Sequence, residues 1–380
     1  MLIASLATAT ASALVSCTAS PPPPTLSSSA TTTQPVSAPP ATPSSAIPTE
    51  RASTTPTKLT SAAPTSSPST ALTMSATARK YLDTALDLIE LHAVNRAKLN
   101  WPAIRHQALR SASAAATPSD TYSAIAVVLG QLGVNGHSRL VPLERKTALP
   151  PHSPSQLPSG RMLPGRIGYI ALTGINEAFA DPYLAAGSAV MRRLLAGQPG
   201  GWILDLRSND GGDVWPMLGG IQPLLGSGLF GSFIAPPAPA SVVRVTPTEI
   251  TQGGEVSIRM SAAPQQGAST DPVVVLTGPT TGSSGEFAAI VFRGRLCTTS
   301  MGSATYGVPT GNTDYRLSDG ADLRLTTAFE ADRTGHLYPD APIDPDVQVG
   351  TANYFATWRP TDPAIQAASR WLTPHRGCGS

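Results

Sequence analysis

After Lys146 this chain contains no lysine, and the fixed cations of the remaining C-terminal part are all arginines. Whatever chemistry that part performs, a lysine amine does not perform it. Cysteine is almost as scarce. Three cysteines are too few for a disulfide scaffold and fit no zinc-binding spacing. The six histidines are dispersed with no HExxH pair, so neither a metal nor any other cofactor is expected. Charged residues make up only 13% of the chain and nearly cancel, at a net +2, which offers nothing to nucleic acid or another polyanion. There is no GxxxxGKS or GxxxxGKT, and no GxGxxG with a downstream acid, which removes the common phosphate-binding loops.

Proline is the opposite case, with 38 residues unevenly spread. Residues 2–16 are small and apolar, too short a run to span a bilayer as a mature helix, and resemble a signal peptide. They end in Leu14-Val15-Ser16-Cys17, which resembles the bacterial lipobox, where the cysteine is lipidated and becomes the new N-terminus. The alternative is an ordinary secretory signal with an incidental cysteine. Residues 18–74 are Pro, Ser, Thr and Ala with almost no large apolar side chain. Such a segment cannot bury enough surface to offset its ordering entropy, so a disordered, extended linker is expected. A signal over 1–17 followed by this tether predicts an exported protein of the bacterial cell envelope. It would be lipid-anchored at the outer face of the cytoplasmic membrane and touch that membrane only through its anchor.

Folding is expected to begin near Ser75. Leu82, Ala85, Leu86, Ile89 and Val94 recur at helical spacing and predict one helix over 76–95. A second is expected from Trp101-Pro102 to about residue 115, with proline in its first turn, and a third over 121–131. These form an N-terminal helical domain, 75–148, whose last turn delivers Gly136-His137-Ser138. Beyond a proline-rich connector, 166–172, 201–206 and 273–276 read as strands, while 181–195 and the stretches after Gly212 and Ser284 read as helices. That alternation predicts an α/β (α+β) core domain over 160–380, a mixed sheet flanked by helices. Residues 235–270 read as short polar strands outside it, and 363–372 as a closing helix. An exported protein meets an oxidising compartment, which would allow Cys297 and Cys378 to bond and tie the C-terminal tail to the sheet.

Two turns carry candidate chemistry. Residues 278–290, GPTTGSSGEFAAI, follow a buried strand and open a helix, which puts Ser283 and Ser284 where backbone N–H groups point outward. Glu286 suits the first turn of that helix, near the positive end of its dipole. Taken alone, the stretch is weak evidence and reads as a Ser-Ser-Gly turn capping a helix. Residues 205–212, DLRSNDGG, end in paired glycines whose backbone N–H groups can face an anion such as a developing oxyanion. Asp205 and Arg207 read as a structural pair at the strand end. His137 alone would pass for a surface residue. It gains meaning because a serine nucleophile needs a base that is neutral near pH 7.

Together, Gly136-His137-Ser138, DLRSNDGG, TGSSGE and Thr305-Tyr306-Gly307-Val308-Pro309-Thr310-Gly311 resemble the tail-specific (C-terminal processing) serine peptidases. That clan also includes the tricorn core protease and the interphotoreceptor retinoid-binding protein repeats. The resemblance covers roughly residues 75–350. It implies a ClpP/crotonase-like core with Ser283 as nucleophile, and oxyanion donors from Gly211 or Gly212 and from Ser284. The processing branch places a lysine base after a Phe-Gly or Tyr-Gly pair, but here Tyr306-Gly307 is followed by Val308. The tricorn-like branch instead uses a histidine next to a serine, which His137-Ser138 matches, and an acid near the chain's end, either Asp340 or Glu330. Processing proteases also carry a PDZ domain between the helical region and the sheet, for which residues 140–165 leave no room. The resemblance therefore implies a peptidase acting on a peptide or protein. Alternatives on the same fold are a non-catalytic ligand-binding lipoprotein and an esterase using the same site.

Overall fold

The computed structural model describes Cys17–Thr18 and residues 73–133, 136–147, 157–175, 177–261, 268–350, 358–376 and 378. The expected signal peptide and linker lie outside the described residues, apart from Cys17–Thr18. So does the stretch 148–156, where the boundary between the two expected domains falls.

Helices α1 (Ala76–His92), α2 (Trp101–Ser111) and α3 (Tyr122–Gln131) open the folded part. Ser75 caps α1 by accepting from the Ala78 N–H, and Asn100 caps α2 by accepting from Ala103. Leu82, Ala85, Leu86 and Ile89 of α1 are buried against Ile104 of α2 and Ile125 and Leu129 of α3. The same cluster takes in Leu317, Leu323 and Leu325 from a sheet, so the helices pack on strands as well as on one another. Helix α1 stops two residues before its apolar spacing does, because the backbone turns extended at Ala93 and the Val94 N–H bonds to the Thr326 carbonyl instead.

One sheet contains, in spatial order, Ser159–Leu163, Ile167–Ala171, Trp202–Asp205, Val273–Thr277, Thr298–Gly302 and Val347–Gln348. Its first pair is antiparallel and the rest are parallel. The central strands are apolar without interruption because both faces are covered. Val273 and Val275 point into the core shared with α4 (Ala180–Ala196), α5 (Val214–Gly220) and α6 (Ser284–Ile290). Val274 and Leu276, on the opposite face, meet Ile365, Ala368 and Leu372 of α7 (Pro363–Leu372).

The second sheet is antiparallel and runs Glu255–Arg259, Glu249–Gln252, Ser241–Val245, Gly228–Ile234, Asp322–Asp332, Thr310–Arg316, with Leu337–Tyr338 and Arg139–Val141 also paired to Asp322–Asp332. Short polar strands over 235–270 are legible in the sequence. That they join the long strand Asp322–Asp332 in a sheet of this size is not, since such pairing is set by distant partners. Arg139–Val141 binds the 322–324 stretch and thereby fixes the exit of the helical region.

Arg207 links the two ends of the core. Its guanidinium donates to both oxygens of Asp205 at 2.9 and 2.7 Å and to Asp362 at 2.7 Å, and all three side chains are buried. Asp362 in turn caps α7 through the N–H groups of Ala364 and Ile365. Cys297 and Cys378 form a disulfide with a Cα–Cα distance of 5.9 Å, which joins the end of α7's connection to the sheet. Arg207→Ala would leave two buried carboxylates uncompensated and should cost about 3–5 kcal/mol. Urea unfolding should show this as a lower midpoint at unchanged slope, and a loss below about 1 kcal/mol would mean the triad does not hold α7 in place.

Candidate active site

The two glycine- and serine-rich turns leave neighbouring parallel strands, Trp202–Asp205 and Val273–Thr277, at their carboxyl ends, where an α/β sheet opens a crevice. Ser283 begins α6 with φ 54 and ψ −121, a conformation that a non-glycine residue holds only when its surroundings impose it. The effect of this elbow is to push Oγ clear of the turn. Three contacts impose it: the Ser283 N–H donates to Glu286 at 2.8 Å, the Gly282 N–H to the Asn209 carbonyl at 2.9 Å, and the Ser284 hydroxyl to the Gly212 carbonyl at 2.6 Å.

Ser283 Oγ lies 3.1 Å from Nε2 of His137, which is 2% exposed. Ser138 fixes the loop that brings the histidine, its hydroxyl accepting from the Thr326 N–H at 2.9 Å. Thr310 Oγ1 stands 2.7 Å from Nδ1, and the Asn312 amide nitrogen 2.9 Å from Nε2. The Asn312 carbonyl oxygen accepts the Thr326 hydroxyl at 3.0 Å, which turns the amide nitrogen toward the ring. Nε2 is therefore the acceptor of the imidazole and Nδ1–H the donor to Thr310. A general base for a serine hydroxyl needs that tautomer.

The glycine pair divides its work. The Gly211 N–H donates to Asn209 Oδ1 at 3.0 Å and its carbonyl accepts from Ile175. Gly212 turns its own N–H and carbonyl away from Ile175, to the side where Ser284 and the short strand Cys17–Thr18 lie. At φ 111 a Cβ on Gly212 would fall 1.5 Å from the Ile175 carbonyl oxygen, so only glycine fits. Of the two glycines, the geometry thus favours Gly212 as a donor into the crevice.

Glu286 is fully buried and accepts four hydrogen bonds, from the N–H groups of Ser283, Gly307 and Val308 and from the Thr305 hydroxyl, at 2.5–3.0 Å. Burial pushes its pKa up from 4.5 to about 7, against the pull of those bonds. Through it the Ser283 backbone is tied to the turn 305–308, which runs on into Thr310 and Asn312.

The sequence-predicted residues thus fall into groups. His137 and Ser283 meet, with Ser284 and Gly212 beside them. The Ser138 hydroxyl serves the sheet rather than the nucleophile. Asp340 lies by the turn before His137, its carboxylate 3.8 Å from where a Cβ would stand on Gly133. Glu330 is not at the histidine but in the core near Glu286, with no hydrogen-bond partner on either carboxylate oxygen among the described residues. Thr310 and Asn312 escaped the sequence reading. Thr310 stands in a quoted motif, yet only the pairing of Thr310–Arg316 with Asp322–Asp332 reveals that both residues face the imidazole.

Residues 166–349 match the model of Peptidase family S41. The Nisin-resistance protein of Lactococcus lactis subsp. lactis is 37% identical over 152 residues, which are 40% of this chain and 47% of that protein. The chain thus spans about half the length of this curated relative. Among solved structures, a lipoprotein from Streptococcus agalactiae aligns with a TM-score of 0.64 at 22% identity, over 80% of this chain and 98% of that one. The photosystem II D1 C-terminal processing protease aligns with a TM-score of 0.51 at 16% identity, over 73% and 94%. At such identities these likenesses concern the fold, and the mixed α/β architecture expected from the sequence is the one they share.

The sign of the Glu286 effect on stability can be tested without substrate. A carboxyl whose pKa is raised on folding favours the folded state fully below about pH 4.5, and that contribution is lost as pH rises through about 7. The loss should amount to roughly 3 kcal/mol. Urea unfolding between about pH 4 and 8 should show this slope in the wild type and a flatter one in Glu286→Gln. An unchanged slope in the variant would exclude Glu286 as its source.

Proposed function

We propose that this chain is an exported serine peptidase in which Ser283 is the nucleophile and His137 the base. The observation that carries this reading is the 3.1 Å approach of Ser283 Oγ to His137 Nε2 across a strained serine elbow, between residues 146 positions apart. His137 takes the serine proton as Oγ attacks the scissile carbonyl, and returns it to the departing amine. The resulting acyl-enzyme is hydrolysed by a water that the same histidine deprotonates. Gly212 and Ser284 N–H groups hold the oxyanion in both steps. Thr310 keeps the imidazole in the reactive tautomer, while Ser138 and Asp340 support the loop that carries it. A pure binding role would leave the strained Ser283 and its convergence with a correctly oriented histidine without purpose.

The substrate is a peptide or protein met outside the cytoplasm. Support for an envelope location comes from the leader ending in Cys17, from a fold shared with a protein described as a lipoprotein, and from a relative named for resistance to nisin. Nisin is accordingly the first peptide to offer it. Lipidation of Cys17 would hold the protein on a tether formed by residues 18–74. A fatty-acid analogue fed to expressing cells should label the wild type but not Cys17→Ala, and equal labelling of both would remove the anchor from this reading.

A fluorophosphonate should label Ser283, as read by mass spectrometry of the peptide that carries it. Ser283→Ala should abolish labelling. His137→Ala should lower labelling and turnover by about 10²–10⁴ with folding intact. Thr310→Val should cost less, on the order of tenfold, because the ring keeps Asn312 and the serine. The Ser283→Ala, His137→Ala double variant should be little worse than Ser283→Ala. Labelling at another serine, or none under conditions where the protein is folded, would overturn the assignment.

A further inference from the structure

Glu330 is a second fully buried acid close to the first, and the mechanism makes no use of it. It lies in the strand Asp322–Asp332 with 0% exposure, and neither carboxylate oxygen has a hydrogen-bond partner among the described residues. A buried polar group left in this way costs stability and calls for an explanation. Its backbone does have a partner: the Glu330 N–H donates to the Pro309 carbonyl at 3.2 Å. Glu286 grips Thr305, Gly307 and Val308, Glu330 grips Pro309, and the next residue, Thr310, orients the histidine. The Glu286 side chain and the Glu330 backbone therefore hold one short segment between Ser283 and His137.

The groups around Glu330 can be named element by element. From Gly228–Ile234, Phe233 stands opposite it in register, packed on Phe287 of α6 at 4.8 Å between ring centroids. From Leu337–Tyr338, Tyr338 stands opposite, but its hydroxyl donates to Asp332. On its own strand Asp332 is occupied by Thr334, the His336 N–H and that tyrosine. Arg333 turns away, its guanidinium over the ring of Phe230 and bonded to the Val291 carbonyl. What remains is Glu286, presented by α6. Burial first, and the Glu286 charge second, hold the Glu330 carboxyl well above the usual range.

We propose that Glu330 is a positioning residue for the Ser283–His137 pair, kept neutral so that Glu286 alone carries negative charge in this core. When Glu330 loses its proton, its charge opposes that of Glu286, and Arg333 is turned to Phe230 and the Val291 carbonyl. Glu286 is then driven off the donors of the 305–308 turn, and Thr310 and the Ser283 backbone lose their common anchor. Ionisation of Glu286 switches the site on as pH rises, and ionisation of Glu330 switches it off at higher pH. The proposal rests on the peptidase reading given above, and it deepens that reading by adding a residue that acts on the nucleophile through another side chain.

The test compares the wild type with Glu330→Gln, which keeps the size of the side chain and cannot ionise. Turnover of a peptide substrate and its KM are followed from about pH 6 to 10. The wild type should lose kcat on the alkaline side at nearly constant KM, and in Glu330→Gln that falling limb should move up by at least about one pH unit or vanish. In parallel, thermal unfolding without substrate should fall with pH in the wild type more steeply than in the variant, since a raised carboxyl loses its stabilising contribution as it ionises. Should Glu330→Gln not fold, Glu330→Met carries the same expectation. The same alkaline limb in wild type and variant would overturn the proposal, and so would a wild type with no such limb. Absence of turnover at every pH, with the difference in unfolding still present, would count against the peptidase reading and leave the ionisation of Glu330 standing.

Discussion

Four donors converge on the buried carboxylate of Glu286, and the geometry on either side of it depends on them. One donor is the Ser283 N–H. The others belong to a turn from a different part of the chain, which continues into the residues that hold His137. A carboxylate taken out of water must recover its lost hydration from such donors or become neutral, and a pKa near 7 says that the recovery is incomplete. These donors also hold Ser283 at an unfavourable φ.

Ser283 and His137 come from separate sheets. Ser283 and the Gly211–Gly212 turn leave the parallel sheet at the ends of adjacent strands, whereas His137, Thr310 and Asn312 are held on the antiparallel one. The parallel strands are locked by apolar packing on both faces, with Val273 and Val275 on one side and Val274 and Leu276 on the other. That rigidity fixes the elbow and the glycine turn to each other. It does nothing to fix the histidine, whose position depends on Arg139–Val141 pairing with the long strand and on Ser138 bonding to Thr326. Glu286 and the 305–310 segment are what bring the two assemblies into register.

Much of the parallel sheet could be read from the sequence because its determinants are local. An apolar run of four or five residues followed by small residues and an amphipathic stretch specifies strand, turn and helix without reference to distant partners. His137 and Ser283 were legible because each sits in a turn whose glycines or serines mark it. Thr310, Asn312 and the Asp362 end of the Arg207 triad were not, because an ordinary threonine, asparagine or aspartate carries no sign of its partner. Antiparallel pairing over long separations assigns those partners, and a one-residue slip in register would turn Asn312 away from the imidazole. The end of α1 was misread for a related reason: the helical spacing persists to Val94, but a strand claims that residue's N–H.

The absence of lysine beyond Lys146 acquires a structural meaning at Val308. A residue there reaches Glu286 with its backbone N–H, and its side chain supplies no cation to the two buried acids. Two like charges in a low-dielectric interior repel strongly, so burial of a second acid beside Glu286 favours its protonated form. The Thr310 hydroxyl at Nδ1 of His137 adds no further negative charge to the same core. The neutral partner at Nδ1 and the raised carboxyls of Glu286 and Glu330 thus answer to a single constraint on how much charge this interior can hold.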